Sequence, residues 1–301
     1  MPVKVLAEDR KAIYDDVADF CKRYTNVDVD LFVTSIFAPE SAAEQFEYIE
    51  TVTTFYGISD FSNGRMLEVG SGYGLTLAYA IQQGYDVTGI EPDFKQGVNR
   101  YQVARRILKA NDISEDRIIA AYGEQLPFSD NSFDRVFSVS VLEHVQDPEK
   151  VVCEIVRVLR PGGYAYINVP NYGSLYEGHY RMPWIPHMTK SLARRYVSLW
   201  GRCPDYIDEL HFITRSFVKK MMAKHSGEIS LIGDLGRSFF ADTSRMMNIQ
   251  SSYPELVGWF QVMRKTGLLW LGLRVLGAIG GQNSFQIIFQ KRCRGGNGTE
   301  L

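Results

Sequence analysis

The sequence has few of the features that mark disulfide-stabilised or zinc-clustered proteins. Its 301 residues contain four scattered cysteines and no C-x-x-C pair; the cysteines are Cys21, Cys153, Cys203 and Cys293. This spacing argues against a disulfide framework or a zinc finger, and it suits a reducing compartment.

Long apolar runs and an excess of charge are also missing. The most apolar stretch, Gly267–Gly281, contains Arg274 and is too short to span a bilayer. The N-terminal residues interleave charged and apolar side chains and lack the continuous apolar segment of an export signal, so we expect a cytoplasmic protein. The formal net charge of -2 offers little attraction for a polyanion, and no nucleic-acid partner is expected.

From residue 65 onward the sequence alternates short apolar strands with amphipathic helices. The predicted strands are Arg65–Val69, Asp86–Ile90, Arg117–Ala121, Phe133–Ser140, Tyr164–Val169, Glu228–Asp234 and Ser284–Lys291. The predicted helices between them are Leu75–Gln83, Phe94–Ala110, Asp147–Leu159 and Arg215–Lys224. This rhythm predicts an α/β three-layer sandwich with a central, mostly parallel seven-stranded sheet and helices on both faces.

The remaining segments are predicted to extend this domain. Residues 1–60 read as an N-terminal helical cap with helices at Ala7–Tyr24 and Ser41–Tyr56, and the α/β domain covers residues 61–292. Two insertions interrupt it, at about 171–211 and 237–283, and residues 293–301 are expected to form a flexible tail. The first insertion is rich in aromatic residues, histidine and arginine, and is interpreted as a substrate lid.

The strongest motif is a glycine-rich segment between the first predicted strand and the helix that follows. It runs Glu68-Val69-Gly70-Ser71-Gly72-Tyr73-Gly74. Glycines at alternate positions let the backbone turn sharply and approach a ligand closely at the carboxyl edge of the sheet. A dinucleotide fingerprint would place its third glycine at position 75, where Leu75 stands, so the spacing disfavours a nicotinamide cofactor.

A carboxylate at the end of the second predicted strand supports a nucleoside ligand. Glu91, followed by Pro92, stands where an acidic side chain can accept hydrogen bonds from both ribose hydroxyls. The alternative interpretation is a solvated strand end with no ligand.

Further segments give the sequence a family resemblance. They follow in order as Glu124–Phe128, Asn131–Asp134, Val141–Val145 and Leu159–Gly163. With the E-x-G-x-G-x-G segment, they resemble class I, Rossmann-like S-adenosylmethionine-dependent methyltransferases, of the small-molecule type that includes the quinone-biosynthesis methylases. The resemblance covers residues 65–170 and implies S-adenosylmethionine as cofactor and S-adenosylhomocysteine as product.

The resemblance also implies a set of cofactor contacts. Glu68 and Gly70 would surround the methionine amino group, Glu91 would hold the ribose, and Ser140 would lie near the sulfonium. The full implied set is Glu68, Gly70, Ser71, Gly72, Gly74, Glu91, Pro92, Gly123, Glu124 and Ser140. Many relatives carry an aspartate where Tyr122 stands, so the adenine contact is expected to pass to Glu124, to the Gly123 backbone or to stacking on Tyr122.

The acceptor side of the site is less defined by the sequence. Transfer to a hydroxyl oxygen needs a general base, and the candidates are His144, His179 and His187, each of which could equally be a packing residue. His179 and His187 have neither helical nor finger-like spacing, so no metal site is expected. A small-molecule acceptor is expected: a natural product, a quinone precursor or a sugar, which could be lipid-linked.

Two alternative functions remain open from the sequence, and one segment has several interpretations. The chain could be an NAD-type oxidoreductase, or a cofactor-binding partner subunit without catalysis. Residues 264–280 combine apolar and basic side chains, which fits a peripheral membrane contact, a core helix or a homodimer interface.

Overall fold

The computed structural model of the protein describes residues 2–36, 39–94, 97–236, 238–239 and 283–293. The second predicted insertion at 237–283, the predicted membrane contact at 264–280 and the predicted tail at 293–301 therefore lie almost wholly outside the described residues. Within those residues, no helix has the length and apolar character needed to cross a membrane.

The helices and strands follow the predicted rhythm. The strands are β1 Arg65–Val69, β2 Asp86–Glu91, β3 Ile118–Ala120, β4 Phe133–Val139, β5 Leu159–Pro170, β6 Tyr176–Glu177, β7 Met182–Pro183, β8 Ile229–Ile232 and β9 Ser284–Lys291. The helices are α1 Ala7–Tyr24, α2 Val29–Ile36, α3 Pro39–Phe55, α4 Leu75–Gln82, α5 Arg100–Ala110, α6 Pro148–Val158, α7 Lys190–Leu199, α8 Tyr206–Glu209 and α9 Arg215–Lys224.

Seven of these strands form one sheet in the order β3-β2-β1-β4-β5-β9-β8. The pairs from β3 to β5 are parallel, whereas β9 runs antiparallel to both β5 and β8. The predicted mostly parallel, seven-stranded sheet is thus confirmed. The chain order reverses between β1 and β4, and this switch point in the topology is where open α/β sheets bind ligands.

Alternation along the strands divides the core between the two faces of the sheet. Met66 of β1 and Phe137 of β4 pack in one apolar cluster together with residues of α1, α3, α4 and α5. Leu67 and Val136, the chain neighbours of Met66 and Phe137, pack in a second cluster with residues of α6 and α9. Successive strand residues point to opposite faces, so both faces are covered and the sandwich has three layers.

Helix caps fix several boundaries where the sequence predicted them. The Asp147 side chain accepts hydrogen bonds from the backbone N–H groups of Glu149 and Lys150 at the start of α6. Thr214 caps α9 in the same way by accepting from the N–H of Phe217. These side chains satisfy donors that have no partner within the helix.

Two predicted boundaries are wrong. Helix α5 begins at Arg100 and not at Phe94, because the Asn99 side chain caps it there by accepting from the N–H of Gln102. Strand β5 begins at Leu159 and not at Tyr164. Phe133 pairs with Leu159 and Arg135 with Tyr164, and a register shift between these pairs accommodates the Pro-Gly-Gly segment within the strand.

The predicted lid region, residues 171–211, contains the β6–β7 hairpin, α7 and α8. It has a small apolar core of its own, which includes Tyr180, Met182 and Trp184. Tyr24 of α1 belongs to the same cluster, so the N-terminal helix and this region pack together. Their packing places both segments beside the carboxyl edge of the sheet.

Candidate active site

The glycine-rich loop connects β1 to α4, and its glycines are required by local geometry. Gly70 has φ +82°, and a Cβ there would lie 2.3 Å from a Val141 methyl group. Gly74, the N-cap of α4, has φ +74°, and a Cβ there would lie 2.8 Å from Cβ of Ala104 on α5. Both positions therefore exclude larger residues through backbone conformation and through packing.

Gly72 differs from its neighbours because nothing lies within 4 Å of the position of its missing Cβ. Its N–H donates to Oε2 of Glu91 over 2.9 Å. This hydrogen bond joins the loop to the end of β2. The space above the loop backbone at Gly72 is open. The combination suits a ligand that approaches the loop and the Glu91 carboxylate together.

Two buried carboxyl groups face this loop, on Glu68 and Glu91, which are 6% and 7% exposed. Burial raises the pKa of Glu68 to about 8, although the Ser71 hydroxyl opposes this shift. Burial also raises the pKa of Glu91, against the opposing effects of the Gly72 N–H and Arg100. Oε2 of Glu68 has no hydrogen-bond partner among the described residues. A cationic ammonium placed here would satisfy that atom and stabilise the ionised carboxylate.

The residues predicted to contact the adenine have other contacts in the structure. A Cβ on Gly123 would lie 3.2 Å from a Val151 methyl group, so this glycine allows close packing of α6. Oε1 of Glu124 accepts from the backbone N–H of Gln146 over 2.8 Å and holds the loop before α6. Tyr122 is 52% exposed, and its ring lies 5.9 Å from that of Phe94. These two rings form an exposed aromatic pair after β3 and β2.

Phe94 was not predicted, although its position three residues after Glu91 could have indicated it. Pro92, which was predicted, accepts a hydrogen bond from the backbone N–H of Phe94 and thereby helps to place that ring.

Ser140 lies directly after β4, at the switch point of the sheet, and has φ +54°. Its N–H donates to the carbonyl of Asn168 over 3.0 Å. A left-handed conformation at a non-glycine residue is uncommon and occurs often at functional sites. Ser140 also lines a cavity of about 440 Å³ that lies beside the glycine loop.

This cavity brings together segments that are far apart in the sequence. Its wall includes Asp16 and Phe20 of α1, Tyr73 of the glycine loop, and Tyr206 of α8. The lid region supplies further lining residues: Tyr172, Tyr176, Glu177, Gly178, His179 and Arg181. Its mixture of aromatic, charged and amide groups suits recognition of a polar ring or sugar.

Helix α1 is fixed over this cavity by Asp16. The Asp16 carboxylate accepts a hydrogen bond from the Tyr73 hydroxyl, and Oδ2 also accepts from Nη2 of Arg100 over 3.1 Å. The Arg100 guanidinium lies 5.5 Å from the centre of the Tyr73 ring. The N-terminal helix is thus joined directly to the glycine loop and to α5. No local pattern in the sequence indicated this contact.

Two of the three predicted histidines meet at the cavity. The rings of His144 and His179 lie 5.2 Å apart, in an edge-to-face arrangement. Partial desolvation at the cavity wall, followed by the charges of His179 and Arg100, lowers the pKa of His144. For His179, burial alone would lower the pKa, but the carboxylates of Glu177 and Glu143 outweigh it and raise the pKa.

His187, the third predicted base, is placed differently. It is exposed, has φ +61°, and is not among the residues that line the cavity. Its backbone N–H donates to the carbonyl of Tyr172 over 3.1 Å. The His187 side chain therefore lies outside the cavity wall.

A buried carboxylate lies between the two histidines that do meet. Glu143 is 0% exposed, and its Oε1 lies 3.7 Å from Nε2 of His144 and 3.9 Å from Nε2 of His179. Neither oxygen of Glu143 has a hydrogen-bond partner within the described part of the chain. Burial raises the pKa of Glu143 to about 7, against the opposing charge of His179. We refer to these three residues as the Glu143 cluster.

Comparisons with known proteins agree with this architecture. Residues 67–167 match a family model described as a methyltransferase domain. The chain is 32% identical over 130 residues to an uncharacterized protein of Mycobacterium tuberculosis H37Rv, a match that covers 43% of each chain. It is 34% identical over 116 residues to an uncharacterized methyltransferase of Mycobacterium sp. strain JLS, covering 38% of this chain and 42% of the relative. The matches thus span less than half the length of these relatives.

A solved structure extends the likeness beyond the matched domain. The phosphoethanolamine N-methyltransferase 2 of Haemonchus contortus, in complex with phosphomonomethylethanolamine and S-adenosylhomocysteine, has a TM-score of 0.51 and 20% identity. The match covers 91% of this chain and 60% of that one, and at this identity it concerns the fold alone. The solved structure thus supports the Rossmann-like fold. The family match at residues 67–167 confirms the predicted resemblance to class I, S-adenosylmethionine-dependent methyltransferases over that part of the chain.

Proposed function

We propose that the protein transfers a methyl group from S-adenosylmethionine to a hydroxyl oxygen of a small molecule bound in the cavity beside Ser140. The observation that carries this proposal is the position of the cavity. It adjoins the glycine loop at Tyr73, begins at the switch point of the sheet, and contains the two meeting histidines. Natural products, quinone precursors and sugars, lipid-linked or free, are the acceptor classes that fit its polar and aromatic wall.

The residues present fit the cofactor. The Glu68 carboxyl group, buried with an unpartnered oxygen, would bind the methionine ammonium, and Glu91 would bind the ribose hydroxyls. The open space above Gly72 would admit the nucleoside. Tyr122 and Phe94 offer exposed rings to the adenine. Bound S-adenosylmethionine would supply a methyl group on a sulfonium, with the neutral thioether of S-adenosylhomocysteine as the leaving group.

The protein contributes mainly alignment and removal of one proton. Alignment of donor and acceptor is worth several kcal/mol of the barrier, about 7–11 kcal/mol in the best intramolecular cases. Helix α1 and the lid region close the cavity around the acceptor. The Glu143 cluster is the group best placed to take up the hydroxyl proton, because its two histidines, His144 and His179, line the same cavity as Ser140.

His179 is the better oriented of the two. Its Nδ1 lies 2.7 Å from Oε1 of Glu177, a buried carboxylate that also accepts from the backbone N–H of Tyr180 at 2.5 Å. A carboxylate that holds Nδ1 in this way fixes the ring and directs Nε2 at its target. A homodimer, a cytoplasmic location and a membrane contact through residues 264–280 stay predictions.

The test is transfer of labelled methyl groups from S-adenosylmethionine to a panel of phenolic, quinol and sugar acceptors. We expect one acceptor class to be labelled, with kcat reduced about 100-fold or more in His179→Ala. The His225→Ala variant is the matched control, because His225 ends α9 and does not line the cavity. A full rate in both His144→Ala and His179→Ala would contradict the assignment, and loss of the rate in His187→Ala would place the base outside the cavity.

A further inference from the structure

We propose that the Glu143 cluster, formed by Glu143, His144 and His179, is a binding site for a divalent transition-metal ion that holds the acceptor's hydroxyl oxygen. The inference deepens the proposed function and rests on it for the role of the ion, but the site itself rests on geometry. Each of the three residues offers one ligand atom, and these atoms all lie within 4.8 Å of one another.

The first observation is the state of the Glu143 side chain. It is completely buried, yet neither carboxylate oxygen makes a hydrogen bond to any residue that the structure describes. A buried carboxylate without hydrogen bonds costs several kcal/mol, and folded proteins satisfy such groups with a partner or a cation. Its Oε1 is directed at two ring nitrogens at 3.7 and 3.9 Å, beyond hydrogen-bond range.

Those separations match a shared metal better than a hydrogen bond. With metal–ligand bonds of about 2.1 Å and a tetrahedral angle, neighbouring ligand atoms lie about 3.4 Å apart. The two separations from Oε1 of Glu143 exceed that value by half an ångström or less, and all three ligand atoms lie within 4.8 Å of one another, so side-chain rotations would complete the site.

The second observation is the orientation of His179. Its Nδ1 lies 2.7 Å from Oε1 of Glu177, which leaves Nε2 as the atom that faces Glu143. Metal-binding histidines almost always donate their other ring N–H to a carboxylate or a carbonyl in this way. Glu177 is itself held by the N–H of Tyr180 and the hydroxyl of Tyr172, so the ring is oriented before any ligand arrives.

The ligand set indicates which ions would bind. Two imidazoles and one carboxylate suit Zn²⁺, Mn²⁺, Fe²⁺ or Co²⁺, whereas Mg²⁺ prefers oxygen ligands alone. Three protein ligands leave one or more coordination positions open, and both histidines line the cavity. With the ion bound, Nε2 of His179 would be a ligand and would no longer take up the proton. An acceptor hydroxyl bound to the metal would instead lose its proton to water, because the metal stabilises the oxyanion.

The sequence does not predict this site, because the spacing of its histidines is typical of no metal-binding motif. The fold instead joins His179 of the lid region to Glu143 and His144, more than thirty residues earlier in the chain.

The test begins with the full chain after removal of metals by a chelator. Titration with MnCl₂ and CoCl₂, followed by calorimetry and by the visible absorption of Co²⁺, should show one ion per chain with nitrogen ligands. We expect Glu143→Gln and His179→Ala to weaken binding at least tenfold, and His225→Ala to bind like the parent. If Glu143→Gln does not fold, as judged by circular dichroism, His144→Ala replaces it, because the His144 side chain is 35% exposed.

The outcomes separate this inference from the proposed function. Absence of stoichiometric binding, or equal binding by the parent and the cluster variants, overturns the metal site. Methyl transfer that persists in excess chelator overturns its role while leaving the proposed function intact. Specific binding of the ion without any methyl transfer overturns the proposed function while leaving the metal site intact.

Discussion

Replacement of Gly70 by alanine is expected to destabilise the protein for two reasons that can be separated. Gly70 has φ +82°, and a Cβ there would lie 2.3 Å from Cγ2 of Val141. The left-handed conformation costs a non-glycine residue about 1 kcal/mol, and overpacking adds roughly 1–3 kcal/mol. We therefore expect the free energy of unfolding to fall by about 2–4 kcal/mol.

Gly84 provides the matched control for the conformational cost alone. It has φ +93°, and nothing lies within 4 Å of a Cβ placed on it. Gly84→Ala should cost only about 1 kcal/mol. In the double variant Gly70→Ala/Val141→Ala, the clash is removed and the loss should be less than the sum of the two single losses.

Urea denaturation followed by circular dichroism measures five proteins under one condition: the parent, Gly70→Ala, Gly84→Ala, Val141→Ala and the double variant. Equal losses for Gly70→Ala and Gly84→Ala, or additive losses in the double variant, would refute the packing of the glycine loop against Val141. The result bears on the site because Val141 follows Ser140, so the same contact sets the distance between the loop and the acceptor cavity.

Two further predictions concern buried or bridging carboxyl groups. The pKa of Glu68 is raised to about 8 in the folded protein. Between about pH 4.5 and pH 8 the folded state therefore holds a proton that the unfolded state has released. The free energy of unfolding without ligand should fall as pH rises through this range. Thermal denaturation at several pH values should show that stability falls less steeply with pH in Glu68→Gln. An equally steep fall would contradict a raised pKa of Glu68. The second prediction is that Asp16→Asn should speed hydrogen exchange in α1 by about tenfold or more, because it weakens charge-assisted bonds to Tyr73 and Arg100 worth about 1.5–3 kcal/mol. Asp15→Asn, which removes only an exposed pair with Lys11, should change exchange little; equal effects would refute the role of Asp16 in holding α1.

The sheet and its glycine loop could be predicted because their determinants are local. Apolar strands of five to seven residues, such as Arg65–Val69 and Phe133–Val139, alternate with capped helices. The residues of each element are enough to predict it. The predicted start of a strand was wrong where pairing with a neighbouring strand outweighed the local turn signal. The Pro-Gly-Gly segment was expected to precede β5, but β5 pairs with β4 on both sides of it, at Leu159 and again from Tyr164, with a register shift between the two pairs.

The acceptor side could not be predicted because its determinants are not local. Asp16 comes from α1, His144 from the loop after β4 and Glu177 from the β6–β7 hairpin, and only the folded chain brings them to one cavity. Sequence reasoning named His144 and His179 individually but could not show that they meet, nor that His187 lies outside the cavity wall. Glu143 lies within the Val141–Val145 motif, and a glutamate beside a histidine does not by itself indicate burial.

The most direct test of the account is equilibrium binding of S-adenosylmethionine and S-adenosylhomocysteine, measured by calorimetry on the parent chain, Glu91→Ala and Glu149→Ala. Glu91 is buried at the end of β2 and bonded to Gly72, whereas Glu149 lies on the surface in a pair with Lys224. Loss of charge-assisted bonds to a ribose, worth about 1.5–3 kcal/mol each, should weaken binding by at least tenfold in Glu91→Ala. If Glu91 binds the ribose, affinity should fall in Glu91→Ala and stay like that of the parent in Glu149→Ala. Parent-like affinity in Glu91→Ala, or no binding by the parent, would contradict it.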